Sequence, residues 1–283
     1  MHTYIIAEAG ACGDGDRNRM IEQVGVAKRA GCDAVKFQWT SDADAMAARR
    51  GAAQRDGYAE VYRKYLQWPA SWHLDFEREC DHHGIDYLCT AYLSADIGVV
   101  ARHVAHFKVS SFESADLEFL RAHQPFMNSP SRRLLISTGM CDSGDIAQIR
   151  EACYPPHPAG AWLHAGQAVL MHCTSAYPAP FDAMELRAIH AERLDGYSDH
   201  TVPELTGTGA LAVAAGACWI EAHMRLSTTD TANPDREHAM TEGQLTQYVA
   251  SIRMAEAALG AGTKARQSVE IEMSKYKVPA SLI

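Results

Sequence analysis

The chain has 283 residues, 47% of them hydrophobic, and a formal net charge of −9. This length suits one large α/β domain as well as two small ones, and it is sufficient to bury a substantial core. The sequence has no run of about 18 apolar residues, which argues against a membrane-spanning helix, and no Lys and Arg cluster that would indicate a nucleic-acid surface.

The first residues read as a β-strand rather than a signal peptide, because they include neither a basic region nor a cleavage site. Eight cysteines are spread along the chain without a C-x-x-C pair, and Cys89, Cys173 and Cys218 lie in apolar strand-like runs. This pattern favours buried reduced thiols over a disulfide framework or a zinc site. We therefore expect a cytoplasmic protein.

Short apolar runs alternate with helical patterns along the chain. The predicted strands are 4–9, 34–39, 86–90, 106–110, 134–138, 169–174, 197–201 and 219–224. The predicted helices begin after Asp16 and around 116–123, 143–152, 182–191, 203–215 and 242–259, with Asp116, Ser143 and Asp182 as N-caps. Eight strand–helix units predict a parallel (β/α)₈ TIM barrel at residues 1–260, followed by a tail or linker at 261–283.

A doubly wound sheet is the alternative fold. It is disfavoured because residues 10–15 do not match the G-x-G-x-x-G phosphate loop. The long insertion between the second and third strands contains Tyr58, Tyr62, Tyr65, Trp68 and Trp72. It is either a loop over the barrel mouth or an ordinary aromatic-packed excursion.

Polar residues follow each apolar strand at its carboxyl end, where barrel enzymes place their active sites. Lys36 and Lys108 lie inside such strands, and a buried lysine without a partner is costly. They are either paired with carboxylates, for which Glu8, Glu113 and Glu221 are candidates, or directed at an anionic ligand. Two such lysines among Ser and Thr hydroxyls favour a ligand with phosphate and carboxylate groups.

Two histidines occur near the ends of the last two strands. Alternation along a strand places Ser198 and His200 on one face, and Glu221 and His223 on one face. Two imidazoles at neighbouring strand ends can share a divalent metal while leaving positions open for water and substrate. The remaining twelve histidines are expected at the surface or in helices.

Several segments, in order from about residue 4 to 260, resemble the barrel domain of the sialic acid (N-acetylneuraminate) synthase family. They are Glu-Ala-Gly at 8–10, Lys-Phe-Gln at 36–38, and the segments 108–113, 137–140, 172–180, 196–201 and 221–223. The pieces H-C-T-S-x-Y-P-x-P and G-Y-S-D-H-T are the specific ones. The resemblance implies a transferase of carbohydrate biosynthesis that condenses phosphoenolpyruvate with an amino-sugar aldehyde, releases phosphate, and uses Mn²⁺ or Mg²⁺.

The resemblance also implies roles for individual residues. It assigns the metal to His200 and His223, and acid–base or sugar-side roles to Glu8, Glu113 and Asp235. It implies a phosphoenolpyruvate pocket formed by Lys36, Gln38, Thr90, Lys108, Ser111, Ser137, Ser175, Tyr177 and Ser198. Lys108 and Glu221 are counted with the catalytic residues, and the sequence does not choose between Glu113 and Glu221 for moving the proton.

Three departures concern the acceptor side. Residues 11–13 read Ala-Cys-Gly where the family usually continues with Asn-His, and 90–92 read Thr-Ala-Tyr in place of Thr-Pro-Phe. Most members continue into a small antifreeze-like domain that supplies an arginine to the sugar, and the resemblance extends only over the barrel, so we expect the acceptor site here to be built without that domain. We therefore expect an altered acceptor, other than N-acetylmannosamine. The family also implies a homodimer.

Two other functions are compatible with the same residues. One is a metal-dependent lyase or aldolase in which Lys36 or Lys108 forms a Schiff base. The other is a non-catalytic barrel that binds phosphoenolpyruvate or metal.

Overall fold

The computed structural model describes residues 2–51, 57–154 and 163–278. Eight parallel strands close into a barrel in chain order, with β1 hydrogen-bonded to both β2 and β8. The strands are β1 Tyr4–Glu8, β2 Ala34–Trp39, β3 Asp86–Ala91, β4 His106–Val109, β5 Leu134–Ser137, β6 Ala168–His172, β7 Gly196–Asp199 and β8 Trp219–His223. The predicted (β/α)₈ barrel is confirmed, and the doubly wound alternative is wrong.

Helices follow the strands and cover the outside of the barrel. They are α1 Arg17–Ala30, α2 Ala43–Arg50, α3 Tyr58–Tyr65, α4 Trp72–His83, α5 Ser94–Val100, α6 Leu117–Arg121, α7 Ser143–Cys153, α8 Arg187–Ala191, α9 Thr208–Ala214 and α10 Glu242–Leu259. Within the described residues, none of these helices is long and apolar enough to cross a bilayer.

The predicted caps are partly confirmed. Asp16 and Asp116 cap α1 and α6 through their carboxylates. The cap of α7 is Asp142 rather than Ser143, because the Asp142 carboxylate accepts from two backbone N–H groups of the first turn. Asp182 caps no α-helix: it lies in a 3₁₀ turn, and α8 begins only at Arg187.

The inside of the barrel is layered. Its lower half is filled by a small apolar cluster. The members are Ile6, Ala34, Leu88, Leu135, Val169 and Met171. Because side chains alternate along a strand, the next inward residues, such as Glu8 after Ile6 and Lys36 after Ala34, form a polar layer above it. The apolar layer therefore closes the barrel from below and leaves a polar site above.

The main core lies between the strands and the helices. Phe37 of β2 stacks on Phe76 of α4 with ring centroids 4.8 Å apart, and α10 buries Leu245 and Tyr248 fully. Removing one such aromatic side chain costs about 3–5 kcal/mol. This packing fixes the frame on which the polar layer is mounted.

The insertion between β2 and β3 is both an aromatic-packed segment and a part of the barrel mouth. Trp68 and Trp72 pack with the main core, whereas Tyr62 and Tyr65 of α3 form a second apolar cluster with α2. Tyr58, Tyr62 and Tyr65 also line the cavity at the barrel mouth. Helices α2 and α3 therefore form one wall of the site.

The regular elements of the barrel end at Leu259. Residues 261–278 are almost entirely exposed and include two 3₁₀ turns, Ser268–Glu270 and Met273–Tyr276. The boundary at residue 260 stays a prediction. Residues 279–283 of the expected tail lie outside the described residues.

Candidate active site

A cavity of about 860 Å³ opens at the carboxyl end of the strands. Fourteen of the fifteen site residues expected from the sequence line it, and Glu113 does not. Those fourteen are Glu8, Lys36, Gln38, Thr90, Lys108, Ser111, Ser137, Ser175, Tyr177, Ser198, His200, Glu221, His223 and Asp235. The strand ends thus converge on one cavity.

The deepest part of the cavity is a set of four buried charges, Lys36, Lys108, Glu8 and Glu221, which we call the lysine floor. Each is at most 3% exposed. Lys36 Nζ forms an ion pair with Glu8 Oε2 and lies 3.6 Å from Glu221 Oε2. Lys108 Nζ lies 3.6 Å from Glu221 Oε1. The floor therefore balances two positive with two negative charges.

Burial and the neighbouring charges act in opposite directions on these groups. Burial raises the pKa of Glu8, and Lys36 only partly opposes it. Burial also acts to raise the pKa of Glu221, but Lys108 and Lys36 together outweigh burial and hold it below its usual value. Burial lowers the pKa of Lys108. For Lys36, the two carboxylates outweigh burial and raise its pKa.

Hydroxyl groups surround the floor. Lys36 Nζ donates to Thr90 Oγ1 at 3.1 Å, and Lys108 Nζ donates to Ser137 Oγ at 2.7 Å. Ser198 Oγ donates to Glu221 Oε1 at 3.0 Å. Gly139 lies next to these hydroxyl groups, since its N–H donates to Ser111 Oγ at 3.1 Å. Such hydroxyls and ammonium groups are suited to phosphate and carboxylate oxygens.

Glu113 lies behind the cavity wall and does not face the cavity. Its carboxylate accepts from Arg50 Nε at 3.0 Å and from Arg50 Nη2 at 2.8 Å, and also from Ser110. Arg50 itself lines the cavity and stacks over Phe112 and Tyr92 at 4.6 and 5.0 Å from the ring centroids. The expectation that Glu113 acts directly on substrate therefore does not match its position, which is that of a support for Arg50.

Sequence reasoning missed Arg50. It is the last residue of α2, in an insertion whose only signal was its aromatic residues. It reaches the cavity because α2 packs on α3, and the spacing of hydrophobic residues along the sequence does not predict that contact.

The other side of the cavity holds His200, His223 and His238, which we call the histidine cluster. Ring centroids are 5.5 Å apart for His200 and His223, and 4.4 Å apart for His223 and His238. His238 is 2% exposed and lies in a loop. Its expected place at the surface or in a helix is therefore wrong.

Burial keeps these imidazoles neutral. It lowers the pKa of His200 and His238 to about 4 each and lowers that of His223 well below its usual value. Neutral imidazole is the form that binds metals. His223 Nδ1 and both ring nitrogens of His238 lack a hydrogen-bond partner within the described parts of the chain.

The residues present fit a divalent metal. The donor atoms of His223, Asp235 and His238 all lie within 4.8 Å of one another. Unpartnered imidazole nitrogens beside a carboxylate form a donor set that first-row divalent ions accept. His200 lies beside this group, with its ring centroid 5.5 Å from that of His223, and the pairing of His200 with His223 on the metal stays a prediction.

The two substituted segments on the acceptor side also reach the site. Cys12, in the Ala-Cys-Gly segment, donates to Asn233 Oδ1 at 3.8 Å, next to Asp235. Tyr92, in the Thr-Ala-Tyr segment, donates its hydroxyl to Gln38 Oε1 and lines the cavity. Both changes therefore alter the surroundings of the cavity rather than a distant surface.

Comparisons with known proteins agree with this geometry. The NeuB family profile matches residues 23–264. N,N'-diacetyllegionaminic acid synthase of Legionella pneumophila is 34% identical in an alignment 282 residues long, and the match covers 93% of this chain and 75% of that protein. The synthase of the same name from Campylobacter jejuni is 29% identical over 276 residues, with 93% and 79% covered.

A solved structure shows the same fold. The N-acetylneuraminic acid (sialic acid) synthetase of Leptospira borgpetersenii, crystallised with citrate, superimposes with a TM-score of 0.83 at 22% identity. The match covers 98% of this chain and 91% of that one.

Proposed function

The chain belongs to the NeuB family, and we propose that it is a transferase that condenses phosphoenolpyruvate with the aldehyde of an amino-sugar-derived acceptor and releases phosphate. The observation that carries the proposal is the cavity itself, in which the lysine floor and the histidine cluster face one space. One part suits a small phosphorylated acid, and the other suits a carbonyl oxygen near a metal. The named relatives are synthases of nonulosonic acids.

Phosphoenolpyruvate binds at the lysine floor in this proposal. The ammonium groups of Lys36 and Lys108 neutralise the phosphate and carboxylate, while nearby hydroxyls donate hydrogen bonds. The ligand takes over part of the pairing that Glu8 and Glu221 provide in the free protein. Pocket roles extend to Gln38, Thr90, Ser111, Ser137, Ser175, Tyr177 and Ser198, all of which line the cavity.

The reaction then proceeds in two bond-forming events. Carbon 3 of phosphoenolpyruvate attacks the acceptor aldehyde, and the aldehyde oxygen gains a proton to become a hydroxyl. Water adds at carbon 2, and the carbon–oxygen bond to phosphate breaks, leaving a keto acid and inorganic phosphate.

Two carboxylates are placed to move these protons. Glu221 is ionised in the free protein because the lysines hold its pKa down, and it becomes a stronger base for the attacking water once phosphoenolpyruvate takes over the pairing with Lys108. Burial raises the pKa of Glu8, and once phosphoenolpyruvate takes over its ion pair with Lys36, Glu8 can hold a proton and deliver it to the aldehyde oxygen. A divalent ion, Mn²⁺ or Mg²⁺, bound at the histidine cluster would polarise the aldehyde carbonyl.

The acceptor occupies the outer cavity. Its wall combines the Arg50 guanidinium with aromatic faces from Tyr58, Tyr62 and Phe112. Such faces pack against sugar C–H groups and acetamido methyls, and the guanidinium donates to hydroxyl or carbonyl oxygens. Because residues 11–13 and 90–92 differ from the family pattern, we propose an acceptor other than N-acetylmannosamine.

The cellular compartment and the oligomeric state concern the whole chain rather than the site. Eight free thiols suit a reducing compartment, the cytoplasm. A homodimer stays a prediction that light scattering tests.

The test is acceptor-dependent phosphate release. The full chain, loaded with Mn²⁺, is given phosphoenolpyruvate with aldoses that carry one or two acetamido groups, including N-acetylmannosamine. We expect phosphate only when a suitable aldose is present. A Schiff-base aldolase would instead be trapped by borohydride with a keto acid, and a binding protein would bind phosphoenolpyruvate without releasing phosphate; either result overturns the proposal.

A further inference from the structure

We infer that Tyr92 is a positioning residue for the proposed reaction. Its hydroxyl fixes the side-chain amide of Gln38 as a hydrogen-bond donor to Glu8, and its ring supports Arg50 on the wall of the outer cavity. The inference rests on the proposed function in taking Glu8 as the group that serves the aldehyde. It assigns a task to the tyrosine of the substituted segment 90–92.

A chain of hydrogen bonds leads from Tyr92 into the lysine floor. The Tyr92 hydroxyl donates to Gln38 Oε1, and Gln38 Nε2 donates to Glu8 Oε1 at 3.0 Å. The other carboxylate oxygen of Glu8 forms the ion pair with Lys36. Because Tyr92 directly follows β3, while Gln38 lies in β2 and Glu8 ends β1, the chain links three neighbouring strands at the rim of the barrel.

The direction of the Gln38 amide decides what the side chain does. Its oxygen accepts hydrogen bonds and its nitrogen donates them. Gln38 Oε1 is the acceptor that the Tyr92 hydroxyl reaches within the described parts of the chain. An inverted amide would present its NH₂ group to that O–H and its oxygen to the Glu8 carboxylate. Both contacts therefore favour the orientation in which the nitrogen faces Glu8.

Burial keeps Tyr92 in the donor role. The residue is 4% exposed, and burial raises the pKa of its hydroxyl well above the usual value. A buried donor that loses its acceptor is costly, so the hydroxyl resists rotation of the amide. Phenylalanine at position 92 would have the same ring without this control over Gln38.

Tyr92 is itself held by the insertion. Arg49 Nη1 donates to the Tyr92 carbonyl, and the ring packs with Tyr62 and Tyr65 in the second apolar cluster. The Arg50 guanidinium lies over the same ring, 5.0 Å from its centroid. Two consecutive arginines at the end of α2 therefore fix Tyr92, and Tyr92 connects the wall of the outer cavity to Gln38.

This connection matters most once phosphoenolpyruvate is bound. In the proposed function, the ligand takes over Lys36, and the hydrogen bond from Gln38 then continues to hold Glu8. Because Gln38 Nε2 occupies Oε1, the proton of Glu8 resides on Oε2, the oxygen that Lys36 releases. A proton donor works only within hydrogen-bond reach of the atom it serves, so the orientation of Glu8 affects kcat.

Two substitutions separate the two tasks of Tyr92. Tyr92→Phe removes the hydroxyl and keeps the ring beneath Arg50, whereas Tyr92→Leu removes both. We expect Tyr92→Phe to lower kcat about tenfold, as for the loss of one hydrogen bond, and to leave the KM for acceptor unchanged. Tyr92→Leu should show the same loss of kcat and, because the cation–π contact is also lost, about a threefold rise in the KM for acceptor.

The experiment is steady-state phosphate release by the Mn²⁺-loaded full chain, with phosphoenolpyruvate and the best aldose of the panel. In a Gln38→Leu background, Tyr92→Phe should lower kcat no further, since the hydroxyl acts through the amide. Tyr87→Phe is the matched control. Tyr87 is a buried tyrosine of β3 in the main core, and its hydroxyl lies 2.7 Å from His73 Nδ1. Its loss should leave kcat unchanged.

Nuclear magnetic resonance of the side-chain amide reads the orientation of Gln38 without turnover. The chain is labelled with glutamine that carries ¹⁵N in the side chain, and the Gln38 signal is identified by its loss in Gln38→Leu. We expect the exchange of these amide protons with solvent to be about tenfold faster in Tyr92→Phe than in the parent, as for the loss of one hydrogen bond. Exchange in Tyr87→Phe should match the parent.

Three results would overturn the inference. They are a Tyr92→Phe protein with the kcat of the parent, unchanged exchange of the Gln38 amide in that variant, and an undiminished effect of Tyr92→Phe in the Gln38→Leu background. Failure of the proposed function is a separate result. A parent that releases no phosphate with any acceptor defeats the function, and the exchange measurement still decides whether Tyr92 fixes Gln38.

Discussion

The lysine floor and the histidine cluster are both buried at the top of one barrel, yet they differ in whether their polar atoms have partners. In the floor, each lysine meets a carboxylate. In the cluster, His223 Nδ1 and both ring nitrogens of His238 have no hydrogen-bond partner among the described residues. The charges of the floor are therefore paired before any ligand binds, whereas the unpartnered ring nitrogens of the cluster are available to a ligand.

Because of this difference, we expect the lysine floor to contribute to the stability of the fold and the histidine cluster to contribute to ligand binding. Removing one charge from a balanced buried set strands its partner and costs stability. Removing an imidazole that has no partner leaves nothing stranded. Variants in the two regions should therefore differ in folding as well as in activity.

Lys108→Met should give the largest effect. Loss of the ammonium leaves Lys36, at 3.6 Å, as the remaining positive charge beside Glu221, so we expect the free energy of unfolding in urea to fall by about 3–5 kcal/mol, together with loss of phosphate release. Lys264→Met, at an exposed position, is the control and should be neutral. A Lys108→Met protein as stable as the parent would show that the floor is not a balanced set.

Metal should stabilise the parent and not the cluster variant. At a Mn²⁺ concentration 100-fold above the dissociation constant, we expect a gain of about 2.7 kcal/mol in unfolding free energy. His223→Phe should lose this gain, because it removes an imidazole whose Nδ1 has no hydrogen-bond partner among the described residues and whose donor atom lies close to those of Asp235 and His238. A His223→Phe protein that Mn²⁺ stabilises as much as the parent would mean that the ion binds elsewhere.

Arg50→Gln tests the outer wall that lies between the two regions and the solvent. A charge-assisted hydrogen bond to the acceptor is worth about 1.5–3 kcal/mol, so the KM for acceptor should rise by about tenfold or more. The KM for phosphoenolpyruvate should stay the same, because Arg50 pairs with Glu113 rather than with the floor. An equal rise in both constants would place Arg50 in the phosphoenolpyruvate pocket.

Glu113→Gln should give the smallest effect. The amide still accepts a hydrogen bond from Arg50 but no longer neutralises it, so we expect roughly a threefold rise in the acceptor KM, a change at the low end of the contribution of one hydrogen bond. Its effect should vanish in the Arg50→Gln background. A loss of kcat comparable to that of Lys108→Met would restore Glu113 to a direct catalytic role.

The same comparison shows why some of the site could be predicted from sequence. Side chains alternate between the two faces of a strand, so the sequence predicts that Lys36 points to the same side as Gln38. It predicts the same for Glu221 and His223. Parallel closure then brings all carboxyl ends to one rim. The floor and two of the three histidines were accessible in this way.

The remaining site residues lie outside the strands, where the alternation of side chains does not predict their direction. His238 is in a loop after β8, and Arg50 ends a helix of the insertion; both reach the cavity through tertiary packing. Glu113 follows β4 in a turn, so its direction is set by the hydrogen bond from Glu113 N to the Ser110 carbonyl rather than by the strand. Sequence resemblance named Glu113 but could not show which way it points.

Mass spectrometry of the product tests the central claim most directly. The Mn²⁺-loaded chain is incubated with phosphoenolpyruvate labelled with ¹³C at carbon 2 and with each acetamido aldose in turn. We predict a product whose mass equals the acceptor plus one pyruvic acid, carrying the label, with one phosphate released per product. Labelled pyruvate alone, or unchanged phosphoenolpyruvate with every acceptor, would contradict the account.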